Sequence, residues 1–148
     1  MALRIKYEPW DRDTELTRLT YDERNDCTVA ALASAAGMPY REAHAILKKA
    51  GRKARKGFKL RLWLDNHCAI ARMKGTTVRL GNYNVMRVRF LDYGSTITLA
   101  KFLRDFPKGR FLVRKAHHVF TVIDGRVSNL STGARTRITD IWYFTEAV

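Results

Sequence analysis

The sequence predicts an α+β fold in which a buried N-terminal helix carrying Cys27 packs on a C-terminal antiparallel β-sheet. Three observations predict it. An alanine-rich apolar run, residues 27–36, directly follows two good helix-capping residues, Asn25 and Asp26. From residue 110 onward the apolar pattern changes from a helical period to a period of two, rich in Val, Ile, Phe and Tyr. Between two of those alternating segments stands Asp124-Gly125, a strong signal for a two-residue hairpin. Helices first and strands second is an α+β order.

Taken along the chain, the stretch up to about Tyr21 is polar with mixed charge and is expected to wrap the domain. The helix at 27–36 follows, with Gly37 as its stop. A second helix is expected over residues 40–50, with Pro39 near its start, Gly51 at its end, and Ala43, Ile46, Leu47 and Ala50 on one face. A third helical segment is expected at 59–66, and strands at 76–80 and 84–90. Ser95 is expected to cap a helix that runs to Phe106 and ends at Pro107 to Gly109. Strands at 110–115, 118–123, 126–130 and 138–144 complete the sheet.

The 148 residues, 46% of them hydrophobic, suit one domain with one real core. No apolar run approaches the roughly 18 residues of a membrane span, and the first ten residues lack a signal peptide's apolar stretch, so a soluble protein of the cytoplasm without membrane contact is expected. Two isolated cysteines, Cys27 and Cys68, do not make a disulfide scaffold and are expected as free thiols. Twenty-eight Lys and Arg against 14 Asp and Glu give a net charge of +14, which attracts acidic proteins or nucleic acid in a salt-dependent way. The charge concentrates in Lys48, Lys49, Arg52, Lys53, Arg55, Lys56, Lys59 and Arg61, with no acid among them. This segment reads either as a solvated helix end and loop or as a polyanion- or partner-binding patch. His67 beside Cys68 is not read as a metal pair, because adjacent residues point apart and no second Cys/His pair has ligand spacing. No phosphate loop, dinucleotide fingerprint or zinc-protease motif is present, and neither a cofactor nor a metal is expected.

Cys27 occupies the first turn of its helix, where the positive end of the helix dipole favours a thiolate, the nucleophile of acyl transfer. The competing reading is a small buried core residue. If the Asp124-Gly125 turn is tight, Ile123 pairs with Arg126, Phe120 opposes Asn129, and His118 opposes Ser131. His118, Phe120, Val122, Val127, Asn129 and Ser131 then share one face, with His118 and Asn129 as diagonal neighbours about 7 Å apart at the backbone. An Asn carbonyl can accept from one imidazole nitrogen and leave the other to take the thiol proton. His117 points to the opposite face; a one-residue bulge would exchange the two histidines.

The stretch Arg24-Asn25-Asp26-Cys27-Thr28-Val29-Ala30-Ala31-Leu32-Ala33, followed by Gly37-Met38-Pro39-Tyr40-Arg41-Glu42-Ala43, resembles the start of papain-like cysteine peptidases. The likeness is greatest to their small stand-alone bacteriophage forms and the bacteriocin-processing type. Gly109 to Val113, His118-Val119, Asp124-Gly125 and Asn129 resemble the later segments that deliver the family's histidine and its Asp or Asn. The resemblance spans residues 24–130. It implies a papain-like fold and a cysteine peptidase or related amide or thioester hydrolase, with Cys27, His118 and Asn129 as the triad. It also implies a phage-encoded protein acting on a protein substrate in a host cytoplasm. The family usually carries a Gln shortly before the cysteine to donate to the oxyanion; residues 20–25 contain none, and Asn25 is the only amide side chain close by. The residue ahead of the family histidine is often Gly, where this chain has Ala116-His117. The alternative is a weak or inactive relative that binds nucleic acid or a host protein through its basic surface.

Overall fold

A computed structural model describes residues 4–8, 27–53, 58–88, 96–116, 118–128 and 132–147. The architecture is mixed α and β. Four helices, α1 (Cys27–Ala36), α2 (Tyr40–Lys49), α3 (Leu60–Met73) and α4 (Leu99–Asp105), accompany nine strands among the described residues. The strands are β1 (Lys6–Tyr7), β2 (Val78–Leu80), β3 (Tyr83–Val88), β4 (Ile97–Thr98), β5 (Arg110–Lys115), β6 (His118–Ile123), β7 (Arg126–Val127), β8 (Arg137–Ile138) and β9 (Asp140–Glu146). Seven strands form one sheet in the order β1-β7-β6-β5-β9-β3-β2, and β4 pairs with β8 apart from it. Every pairing is antiparallel except β1 on β7.

Strand alternation divides the sheet between two cores. Leu112, Val119, Trp142, Phe144 and Val85 face α1, α2 and α3. Residues of the opposite strand phase, Phe111, Val113, Phe120, Val122 and Ile141, pack with α4 on the other side. The helix α1 lies closest to the sheet because alanines face its neighbours: Ala30, Ala31, Ala33, Ala35 and Ala36 are all buried. Its last turn closes with the Gly37 N–H on the Ser34 carbonyl and the Met38 N–H on the Ala33 carbonyl, and Gly37 supplies the positive φ of 62° this end requires. Arg110 then caps the same helix end from β5, its Nη1 donating to the Ser34 carbonyl at 2.7 Å.

The Asp124-Gly125 turn is the tight hairpin expected from sequence. Both residues have positive φ, 50° and 78°, and Ile123 pairs with Arg126 and Val122 with Val127. Four expectations need correction or fall short. The helix expected at 59–66 continues to Met73, because Leu64 and Ala71 carry its buried stripe past the polar Asn66-His67 that sequence reading took as its end. Ser95 lies outside the described residues; the cap of α4 is Thr98, whose hydroxyl accepts from the Lys101 N–H at 3.2 Å. The single strand expected at 138–144 is broken at Thr139 into β8 and β9, which pair with different partners. Of the strand expected at 126–130, Arg126 and Val127 form β7, the Ser128 N–H still donates to the Thr121 carbonyl at 3.0 Å, and residues 129–130 lie outside the described residues. The Ser128 hydroxyl accepts the Thr121 N–H, which the next main-chain carbonyl of a regular ladder would otherwise hold. Of the segment expected to wrap the domain, Lys6 and Tyr7 pair in parallel with β7, and the Tyr7 hydroxyl donates to the Thr132 carbonyl at 2.6 Å. Residues 9–26 lie outside the described part. Among the described residues no helix is long and apolar enough to cross a membrane.

Candidate functional site

Cys27 is the first residue of α1, half-buried, and not in a disulfide. The rest of the helix is tied to β6 and β5: Ser34 meets Thr121 through their hydroxyls at 3.2 Å, and Arg110 holds the helix end. These contacts anchor the C-terminal end of the helix on the sheet. His118 is the first residue of β6, paired across the ladder with Lys115. Cys27 and His118 line one cleft of about 550 Å³, together with Thr28, Phe58, Arg114 and Val119 among others.

Val119, next to His118, packs in the core beneath α1, whereas Phe120 and Val122 pack on the opposite face. The face that sequence reading gave to His118, Phe120 and Val122 is thus the one turned away from the Cys27 helix. His118 lines the cleft as the first residue of its strand, at the sheet's end, and not from within the face. Among the described residues no hydrogen bond joins the Cys27 thiol to the His118 ring. Asn129, His117, Ser131, Asn25, Arg55 and Lys56 lie outside the described residues.

Burial, followed by the nearby charge of Lys115, holds the His118 imidazole below its ordinary pKa. A base must be neutral, so its function is lost as pH falls through the folded pKa, here displaced to the acid side. The same displacement makes acidification destabilising, since unfolding lets the ring take up its proton. Titration of the His118 ring protons by NMR should give a midpoint below that of an unperturbed imidazole. Lys115→Gln should raise it part of the way back, burial being the larger cause. A His118 midpoint that ignores the Lys115 substitution would show that the lysine charge does not act on the ring.

Arg114, which lines the cleft, and Asp140, which stands behind it, are not singled out by the sequence. Arg114 Nη1 donates to Asp140 Oδ2 at 2.8 Å and meets Thr139 Oγ1 at 3.0 Å. Asp140 is buried and also receives Arg87 Nη2. Burial raises the pKa of the Asp140 carboxyl, but the hydrogen bonds from Arg87, Arg114 and Thr139 together outweigh it and hold the group below the usual carboxylate range. Arg87 in turn grips Asp65, which accepts the Trp142 indole N–H at 3.0 Å. Arg114 shares its strand phase with the buried Leu112, and that inward phase of a charge is the sequence signal for such a network.

The Thr28 hydroxyl is buried at the cleft without a hydrogen-bond partner among the described residues. A second, larger cavity of about 810 Å³ lies between α3 and β2–β3, lined by Cys68, Met73, Met86 and Arg87 among others. Burial, with the Asp65 charge, pushes the Cys68 thiol above its ordinary pKa against the opposing effect of Arg87. The basic segment is less uniform than its sequence: Lys48, Lys49 and Lys53 are exposed, but Arg52 is buried. Arg52 is therefore removed from the expected polyanion-binding set, because a guanidinium folded into the protein cannot meet a partner's surface.

No protein-family model matches the chain, and neither a curated protein nor a solved structure matches it.

Proposed function

We propose that the protein is a papain-like cysteine hydrolase acting on an amide or thioester bond of a protein substrate. The observation that carries this reading is the shared cleft: a thiol at the first residue of a buried helix and an imidazole at the start of a strand line the same opening. The Cys27 sulfur attacks the carbonyl carbon as its proton passes to His118. A C–S bond forms and the carbonyl π pair moves to oxygen. Collapse of that adduct breaks the bond to the leaving nitrogen or sulfur, which takes the proton from His118. Water then attacks the thioester, giving its proton to His118, and the acid product leaves as Cys27 is regenerated. N–H groups of the first turn of α1, with Asn25, stabilise the oxyanion. Asn129 orients the imidazole.

A second reading has its own observation, the absence of a Cys27–His118 hydrogen bond together with the strand phase of His118. In it the domain is a non-catalytic module that binds nucleic acid or a host protein through Lys48, Lys49 and Lys53. Timed alkylation with iodoacetamide, read by peptide mass spectrometry, separates the two. The hydrolase should show Cys27 labelled at least about tenfold faster than Cys68, and His118→Ala should remove most of that excess. Equal, slow labelling of both thiols would reject the hydrolase in favour of the module.

A further inference from the structure

The walls of the cleft carry a charge pattern that acyl transfer itself does not require. Lys59, Arg61 and Arg114 line it, and no carboxylate is among its described lining residues. Phe58, Leu60, Leu62 and Val119 supply apolar surface between the cations. Lys59 and Arg61 are exposed, and neither has an ion pair among the described residues. Arg114 differs from them. Its side chain is only 29% exposed, and Nη1 is pinned by Asp140 and Thr139, while Nε and Nη2 have no partner among the described residues. A guanidinium held along one edge presents its remaining N–H groups in a fixed direction, and that geometry suits a planar carboxylate. The charges of Arg87 and Arg114 are balanced by Asp65 and Asp140, so the uncompensated charge of the cleft resides on Lys59 and Arg61. The exposed cations attract an anion over a distance, and the pinned one fixes its orientation at contact.

An acidic peptide fits this cleft better than a nucleic-acid strand does. Phe58 is the one aromatic residue among the described lining besides His118, and its edge contact with Trp63 at 6.2 Å ties it to the protein. A stacking platform for successive bases needs several open aromatic faces.

We propose that the cleft selects substrates with an Asp or Glu beside the bond Cys27 attacks, the carboxylate being received by Arg114 with Lys59 and Arg61 drawing it in. The inference rests on the hydrolase reading above. Its test is cleavage of a pooled synthetic peptide library by the full chain, read by mass spectrometry. The sequences cut are then resynthesised with Glu, Gln or Lys at each flanking position.

Glu peptides should exceed Gln peptides in kcat/KM by about tenfold, the factor that one well-placed charge-assisted hydrogen bond supplies. The preference should disappear in Arg114→Gln and turn toward Lys peptides in Arg114→Glu. Because Arg114 also supports Asp140, the double variant Lys59→Gln/Arg61→Gln provides a second arm that leaves the buried network intact. It should raise KM for Glu peptides and flatten its salt dependence, with kcat little changed. Cys27-dependent cleavage that treats Glu and Gln alike would overturn the specificity and leave the hydrolase reading standing. A library left uncut, with no excess labelling of Cys27, would remove both. Displacement of a bound Glu peptide by a single-stranded oligonucleotide at lower concentration than by polyglutamate would assign the cleft to nucleic acid instead.

Discussion

Cys27→Ala should reduce hydrolysis of any peptide the wild-type chain cleaves to background, and His118→Ala should lower kcat by about 100- to 10,000-fold, the usual contribution of a positioned general base. The two effects should not multiply in the double variant, because thiol and imidazole act as one unit. Both side chains are only half-buried at the ends of their elements, so far-UV circular dichroism should show the fold retained. Cys68→Ala gives the contrast: that thiol lines the other cavity, and its loss should leave kcat as it is. His117→Ala should likewise have little effect, since the hydrolase reading assigns the base to His118. A kcat unchanged by His118→Ala and lost with His117→Ala would exchange their roles.

The largest stability effect is expected at Asp140. Asp140→Ala leaves Arg87 and Arg114 facing a buried site with their shared carboxylate gone, and removing one partner of a buried ion pair costs about 3–5 kcal/mol. The Arg side chains are 28% and 29% exposed, so water relieves part of that loss and the lower end of the range applies. Asp140→Asn preserves the shape and should cost less, but still lowers the urea midpoint. The pH dependence has a definite sign. The folded carboxyl lies below its unfolded value, so its stabilisation is present above the ordinary carboxylate pKa and is lost as pH falls through the folded one. Wild-type stability should therefore drop on acidification more steeply than that of Asp140→Ala. Urea unfolding at pH 7 and at pH 3 measures both quantities. Parallel acid sensitivity in the two proteins would show that the network does not store its stability in the ionised carboxylate.

Local patterns carried most of the fold. The Gly37 helix stop, the Asp124-Gly125 turn and the alternation within residues 110–115 and 118–123 are each decided by a few adjacent residues, and the structure has all three. What escaped was set by contacts distant in sequence. The helix α3 passes through Asn66-His67 because its partners Leu80 and Val85 lie beyond it. At Thr139 the chain passes from pairing with β4 to pairing with β5, both partners distant in sequence. At the candidate site the helix start at Cys27 and the strand start at His118 were both legible. The face on which His118 sits relative to α1 was not, because alternation tells which residues share a face but not which helix covers it. Arg114 and Asp140 were missed for a related reason: each is an ordinary charged residue until the strand pairing of Arg114 with Asp140 makes them neighbours.

The parallel pairing of Lys6–Tyr7 with Arg126–Val127 bears on the order of assembly. The meander of β5, β6 and β7 joins neighbours in sequence and can close quickly, whereas β1 has no partner until the chain has been made as far as Val127. Docking of β1 on the outer edge of β7, fastened by the Glu8 N–H on the Val127 carbonyl at 2.8 Å, is therefore a non-local step. Removal of residues 1–8 would leave that edge open for pairing with a second molecule, so the loss would register first as concentration-dependent association during refolding.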